Sequence, residues 1–200
     1  MDPLIITDIA RFAHLLCVAI GLGAALIADY LVLSRLSGRL DADLVRNIDR
    51  AHRLVWTALG AMWFTGALLI YLRTGFDLAN FSPKLFNKLI IVTILTANAV
   101  LIGRFAMPLV ALHVGKSLMW LPFRQKILLA AVASVSTTSW LLALALGVSK
   151  VLAVSGWSTF LIIIPAAYLV SVLAGISVMA ILQIGFDTAP MRLKLSRAVR

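Results

Sequence analysis

Apolar residues fall along this chain in five long blocks separated by short polar stretches. The blocks predict helices over about 9–33, 54–72, 86–112, 127–148 and 159–184. About 20 helical residues cross a hydrocarbon core of about 30 Å, and each block is about that long. The pattern predicts an all-α fold: a polytopic transmembrane helix bundle with five membrane-spanning helices, forming a single membrane domain over residues 1–200.

Two connections carry patterns of their own. Asp41–Ala51 places Leu44, Val45 and Ile48 on one side, which predicts an amphipathic turn or two lying on a membrane surface. Met107–Phe123 contains Pro108, Trp120 and Pro122. It predicts a kinked helix end followed by an interfacial segment. Trp120 and Trp157 fall at expected water–lipid boundaries, where indole is favoured. Trp63 and Trp140 sit mid-block in the second and fourth helices. Each is followed by a polar stop, a weak echo that suggests a duplicated helical hairpin.

Composition agrees with the pattern: 62% of residues are hydrophobic and 13% charged, far from the balance of soluble domains. The net charge of +10 does not point to nucleic acid, because the basic residues lie between apolar blocks, where they meet lipid headgroups. The lipid bilayer is the expected partner, and no nucleic acid is. The single cysteine, Cys17, excludes an intrachain disulfide and a four-thiolate zinc site; it is expected to be a packing residue. Met1-Asp2-Pro3 lacks a basic leader, and the first block is too long for a signal peptide, so the first helix is expected to be retained.

The distribution of cations sets orientation. Arg35, Arg39, Arg46, Arg50 and Arg53 follow the first block. Arg104, Lys116, Arg124 and Lys126 surround the third connection, and Arg192, Lys194, Arg197 and Arg200 fill the tail. The alternate side holds only Arg11, Arg73, Lys84, Lys88 and Lys150. The rich side is expected to be cytoplasmic. The N-terminus is then outside, the C-terminus cytoplasmic, and the location a multi-pass protein of the bacterial inner membrane.

Small residues mark close helix contacts. Gly21, Ala25 and Ala28 recur on one face of the first helix, and Ala174 and Gly175 do the same in the fifth. The fourth helix carries a polar belt from Ser134 to Ser139 that includes Ser136 and Thr137, and the third carries Asn98. These groups need partners in lipid. They serve either as interhelical hydrogen bonds or as the lining of a cavity.

Ionisable groups inside apolar blocks are the candidates for chemistry. His14 projects from the same face as the small-residue seam. Lys88 opens the third helix at a similar depth. Asp29 lies 15 residues beyond His14 in sequence, about 22 Å deeper. Arg104 falls at nearly the same level, so Asp29 is expected to pair with Arg104 or Arg53. His52 and His113 share the arginine-rich boundary, where two imidazoles on different helices suggest a weaker alternative site for haem iron. Glycine-rich phosphate loops, HExxH pairs and cysteine clusters are absent.

The first helix reads IARFAHLLCVAIGLGAALIADYLVLSRL, the second HRLVWTALGAMWFTGALLIYL, and the third is announced by FSPKLFNKLIIVTILTANAVLIGRF. Over about residues 9–107 this order resembles the small membrane protoporphyrinogen oxidases and the copper-resistance D type of membrane protein. TGFDLANFSPKLFNKL and SWLLALALGVSKVL look closer still to a family of uncharacterised five-helix bacterial inner-membrane proteins. The oxidase resemblance implies a bundle that binds haem b or another porphyrin, with its helix-1 histidine and helix-3 lysine matching His14 and Lys88. His14 would then be the only protein metal ligand, and only to haem iron. The chain departs from that pattern at Gly21-Leu22-Gly23 and at Thr96-Ala97-Asn98-Ala99. Three functions stand open: a haem- or porphyrin-associated redox protein, an accessory subunit of a larger membrane complex or homo-oligomer, and a small permease or metal-handling protein.

Overall fold

A computed structural model describes residues 3–188. The tail cations Arg192, Lys194, Arg197 and Arg200 lie outside the described residues. The order is α1 (Pro3–Ser34), α2 (Ala42–Thr74), α3 (Pro83–Leu101), a π-helical turn (Ile102–Ala106), α4 (Met107–Ala111), α5 (Phe123–Val148) and α6 (Trp157–Thr188), with short 3-10 turns in the connections. Among the described residues five helices, counting α3 to α4 as one unbroken run, are long and apolar enough to cross a membrane.

Local chemistry sets the helix ends. The Asp41 side chain accepts from Leu44 N at 2.6 Å and caps α2. Gly75, in the left-handed region at φ 61, closes it through a bond to the Tyr71 carbonyl. Ser82 and Pro83 open α3. The π turn lies just ahead of Pro108, which has no N–H and crowds the preceding turn. Met107 N instead reaches back to Ile102 O, widening the helix there. The kink expected near Pro108 is this turn.

The stretch 41–51 does not lie on a surface. It is the first part of α2, which runs unbroken for 33 residues. No glycine or proline separates it from the apolar block, so the helix propagates. Leu44 and Ile48 are buried with Leu40, Val110, Leu118 and Leu121. Backbone bonds Leu40 N to Lys116 O at 3.0 Å and Gly115 N to Leu40 O at 2.7 Å join the two connections at this arginine-rich end.

The closest antiparallel pairs are α1 with α2 and α5 with α6, and α3 lies against α5. The pairing unit is therefore not α2 with α3, as a duplicated hairpin suggests. The two echoing tryptophans also differ in setting. Trp63 is exposed and donates to Thr96 Oγ1 at 3.0 Å. Trp140 is fully buried in the central cluster with Val18, Ala24, Leu59, Met62 and Leu95. Its ring lies on Gly21, where a Cβ would come within 2.2 Å of it. The small-residue seam of α1 thus receives an indole.

The polar belt ties helices together. Asn98 Nδ2 donates to the Val132 carbonyl of α5 at 2.9 Å, fully inside the bundle. Ser139 donates to Val135 O, so the Tyr168 hydroxyl of α6 is the donor in their 2.8 Å bond. Asn98→Leu should lower stability by about 0.6 kcal/mol, the average for interhelical bonds in lipid, and by no more than about 1.7 kcal/mol, the largest found. The check is the thermal unfolding midpoint in detergent.

Candidate functional sites: two cavities at opposite ends of the bundle

The central cluster separates two cavities. Val18 and Met62 line one, and Ala25, Val55, Leu95 and Ala99 line the other. The first, at the amino-terminal end of α1, has a volume of about 930 Å³ and contains His14 and Lys88. The second, at the arginine-rich end, has a volume of about 380 Å³ and contains Asp29 and His52.

In the His14 cavity, three elements set the imidazole. Thr65 on α2 donates its hydroxyl proton to Ala61 O at 2.8 Å. The 2.9 Å bond between Thr65 Oγ1 and His14 Nδ1 therefore takes its proton from the ring. The network puts a proton on Nδ1, and in the neutral ring Nε2 then carries the lone pair. Gly66 lets the ring lie close: a Cβ there would meet His14 Cε1 at 3.4 Å. Lys88 on α3 is near enough to act on the ring electrostatically, and Lys84 and Arg73 act on Lys88. Lys84 Nζ is tied to the Ser149 carbonyl at 2.8 Å, and Arg11 pairs with exposed Asp8 at 3.1 Å. Lys88 is half-buried and has no hydrogen-bond or ion-pair partner among the described residues. Among the described residues no carboxylate lines this cavity. Phe76 lines it from the left-handed backbone region (φ 62), a strained position for a non-glycine residue. Its ring packs on Tyr71, centroids 5.6 Å apart.

The Asp29 cavity corrects one expectation. Asp29 pairs with neither Arg104 nor Arg53. Its Oδ2 accepts from Thr137 Oγ1 of α5 at 2.9 Å. Arg53 is bound one turn back on its own helix by Asp49, and Arg104 points outward from the π turn, exposed. Both arginines are exposed on the surface of the bundle rather than buried beside Asp29. Ser134 and Ser136 line the cavity beside Thr137.

His52 lines this cavity, but its Nε2 accepts from Trp56 Nε1 at 3.1 Å. His113 donates from Nδ1 to Leu109 O at 2.8 Å and lines neither cavity. The structure does not bring these two imidazoles together around one space.

Sequence reasoning passed over Thr65, Gly66 and Lys126. The Thr65-Gly66 pair inside an apolar block was a usable signal, since a hydroxyl beside a glycine there marks a close helix contact. Lys126, beside Arg124, reads as an interfacial cation, yet it is 2% exposed. Its Nζ donates to Met119 O at 2.8 Å and to Gln183 Oε1.

Among the described residues no cluster of three or more His, Cys, Asp or Glu side chains is placed to hold a metal ion. Neither a protein-family model, a curated protein nor a solved structure matches the chain. The two cavities and their charges are the basis for a functional reading.

Proposed function

We propose that this is a multi-pass protein of the bacterial inner membrane that holds a haem or porphyrin in the His14 cavity and takes part in redox chemistry. Exposed apolar side chains such as Phe12, Phe64, Leu161, Ile162 and Val170 cover the helices, as a lipid environment requires. The excess of cations at the opposite end supports an orientation with the His14 cavity on the face away from the cytoplasm. In a Cys17→Ser background, an impermeant maleimide added to spheroplasts should label Asp77→Cys and spare Gly38→Cys. The reverse pattern would invert the orientation.

One observation carries the ligand reading. Lys88, Lys84 and Arg73 surround a cavity that no carboxylate lines among the described residues, and an imidazole lines it with them. Like charges held together at membrane depth are costly, and an anionic ligand relieves the cost. The volume, about 930 Å³, suits a large ligand. A bare metal ion lacks a ligand cluster here, whereas a porphyrin brings its own four nitrogens. His14 would hold the iron through Nε2, its ring oriented by the bond from Nδ1 to Thr65. Lys88, Lys84 and Arg73 would pair with carboxylates on the ring edge. A bound haem would supply one-electron chemistry at its iron.

The same charges count against a permease for an ionic cargo. The His14 cavity favours anions and the other cavity carries a carboxylate, so one ion does not suit both ends. Protein purified in mild detergent from haem-replete cells is expected to show a Soret band and stoichiometric haem by pyridine extraction. A preparation with neither absorption nor extractable porphyrin would overturn the reading.

A further inference from the structure

The arginine-rich end holds a second site of opposite character. We infer that the Asp29 cavity binds an organic cation, an amine or quaternary ammonium carried on an apolar body. The walls around Asp29 are apolar: Val32, Leu36, Val55, Leu95, Met179 and Leu182. Within them the Asp29 carboxylate has one hydrogen bond, from Thr137 at 2.9 Å. It has no ion pair among the described residues.

The other charged or basic groups here are engaged elsewhere. Lys126 donates to Met119 O and Gln183 Oε1, and Gln183 Nε2 passes on to Asp187 Oδ2 at 2.9 Å. That chain links the ammonium through Gln183 to Asp187. The lone pair of His52 is taken by Trp56. Asp29 is thus the group whose charge faces the apolar space.

The chemistry of the occupant follows. A carboxylate repels anions. Calcium needs six to eight oxygen ligands and magnesium six, more than one carboxylate and its hydroxyl neighbours supply. A small hydrated cation gains nothing from walls of leucine, valine and methionine. A cation on an apolar body satisfies both parts: the charge meets Asp29, strengthened by the low local dielectric, and the body fills the volume. This site stands apart from the porphyrin reading, at the other end of the bundle and with the opposite charge.

The test is calorimetric titration of the detergent-purified full chain with phenyltrimethylammonium, alone and in competition with its uncharged isostere tert-butylbenzene. Saturable binding to the wild type is expected, weakened at least tenfold in Asp29→Asn and not displaced by the isostere. Ala28→Leu keeps the carboxylate but narrows the cavity, and it should also lose at least tenfold. It carries the comparison if Asp29→Asn does not purify as a monodisperse protein. No saturable binding to the wild type, wild-type affinity in either variant, or displacement by the uncharged isostere at equal concentration would each overturn the proposal.

Discussion

His14→Ala is expected to remove the Soret band from the purified protein while leaving its elution volume in detergent unchanged. The side chain is a minor part of what holds the bundle together: it bonds to Thr65 and to the Met62 backbone, both on α2, while α1 is fastened to its neighbours by the central cluster. The loss therefore reports ligation rather than folding. Thr65→Val sharpens the test, because it leaves the imidazole in place but removes the acceptor that holds the Nδ1–H tautomer. Loss of such an orienting partner typically costs about 10–100-fold in affinity, so the Soret band should weaken on dilution or dialysis without disappearing. Lys88→Gln should weaken retention of the porphyrin by about tenfold, the order of one charge-assisted hydrogen bond. Wild-type absorption in His14→Ala would remove the imidazole from the site.

Gly21→Ala is expected to be the most damaging single methyl addition in the bundle. A Cβ at position 21 would sit 2.2 Å from Trp140 Cη2 and 2.7 Å from Cζ2, and the indole is fully buried in the central cluster. Overpacking of this kind costs about 1–3 kcal/mol. The clash is with the outer part of the indole, so Trp140→Phe in the same chain should restore most of the lost stability. That rescue separates a clash from a general intolerance of change in α1. The thermal midpoints of the two single variants and the double variant, combined as a mutant cycle, provide the measurement. Gly175 differs. A Cβ there would meet the Ser134 hydroxyl at 2.2 Å, while the nearest backbone atom, Ala130 O, lies at 3.4 Å. A hydroxyl can rotate, so Gly175→Ala should cost less.

Several features were legible in the sequence because each depends only on neighbours along the chain. Pro108 announces the distortion that became the π turn. His14 and Lys88 lie toward the same end of two helices running in the same direction, and both line one cavity. The Asp29 pairing was not legible for the same reason inverted. Depth brought Asp29 and Arg104 to one level, but a helix turns about 100° per residue. Equal depth therefore leaves open which face a side chain takes, and Arg104 takes the outward one.

The run of apolar residues, by itself, determined five helices of spanning length, their alternating direction and the uneven placement of cations at their ends, because hydropathy and length are properties of each segment alone. Only the tertiary structure decided that Thr65 orients His14, that Thr137 rather than an arginine meets Asp29, that Lys126 is buried, and that His52 and His113 stay apart. Those outcomes depend on the rotation and register of one helix against another. A shift of a single residue in either exchanges every facing side chain.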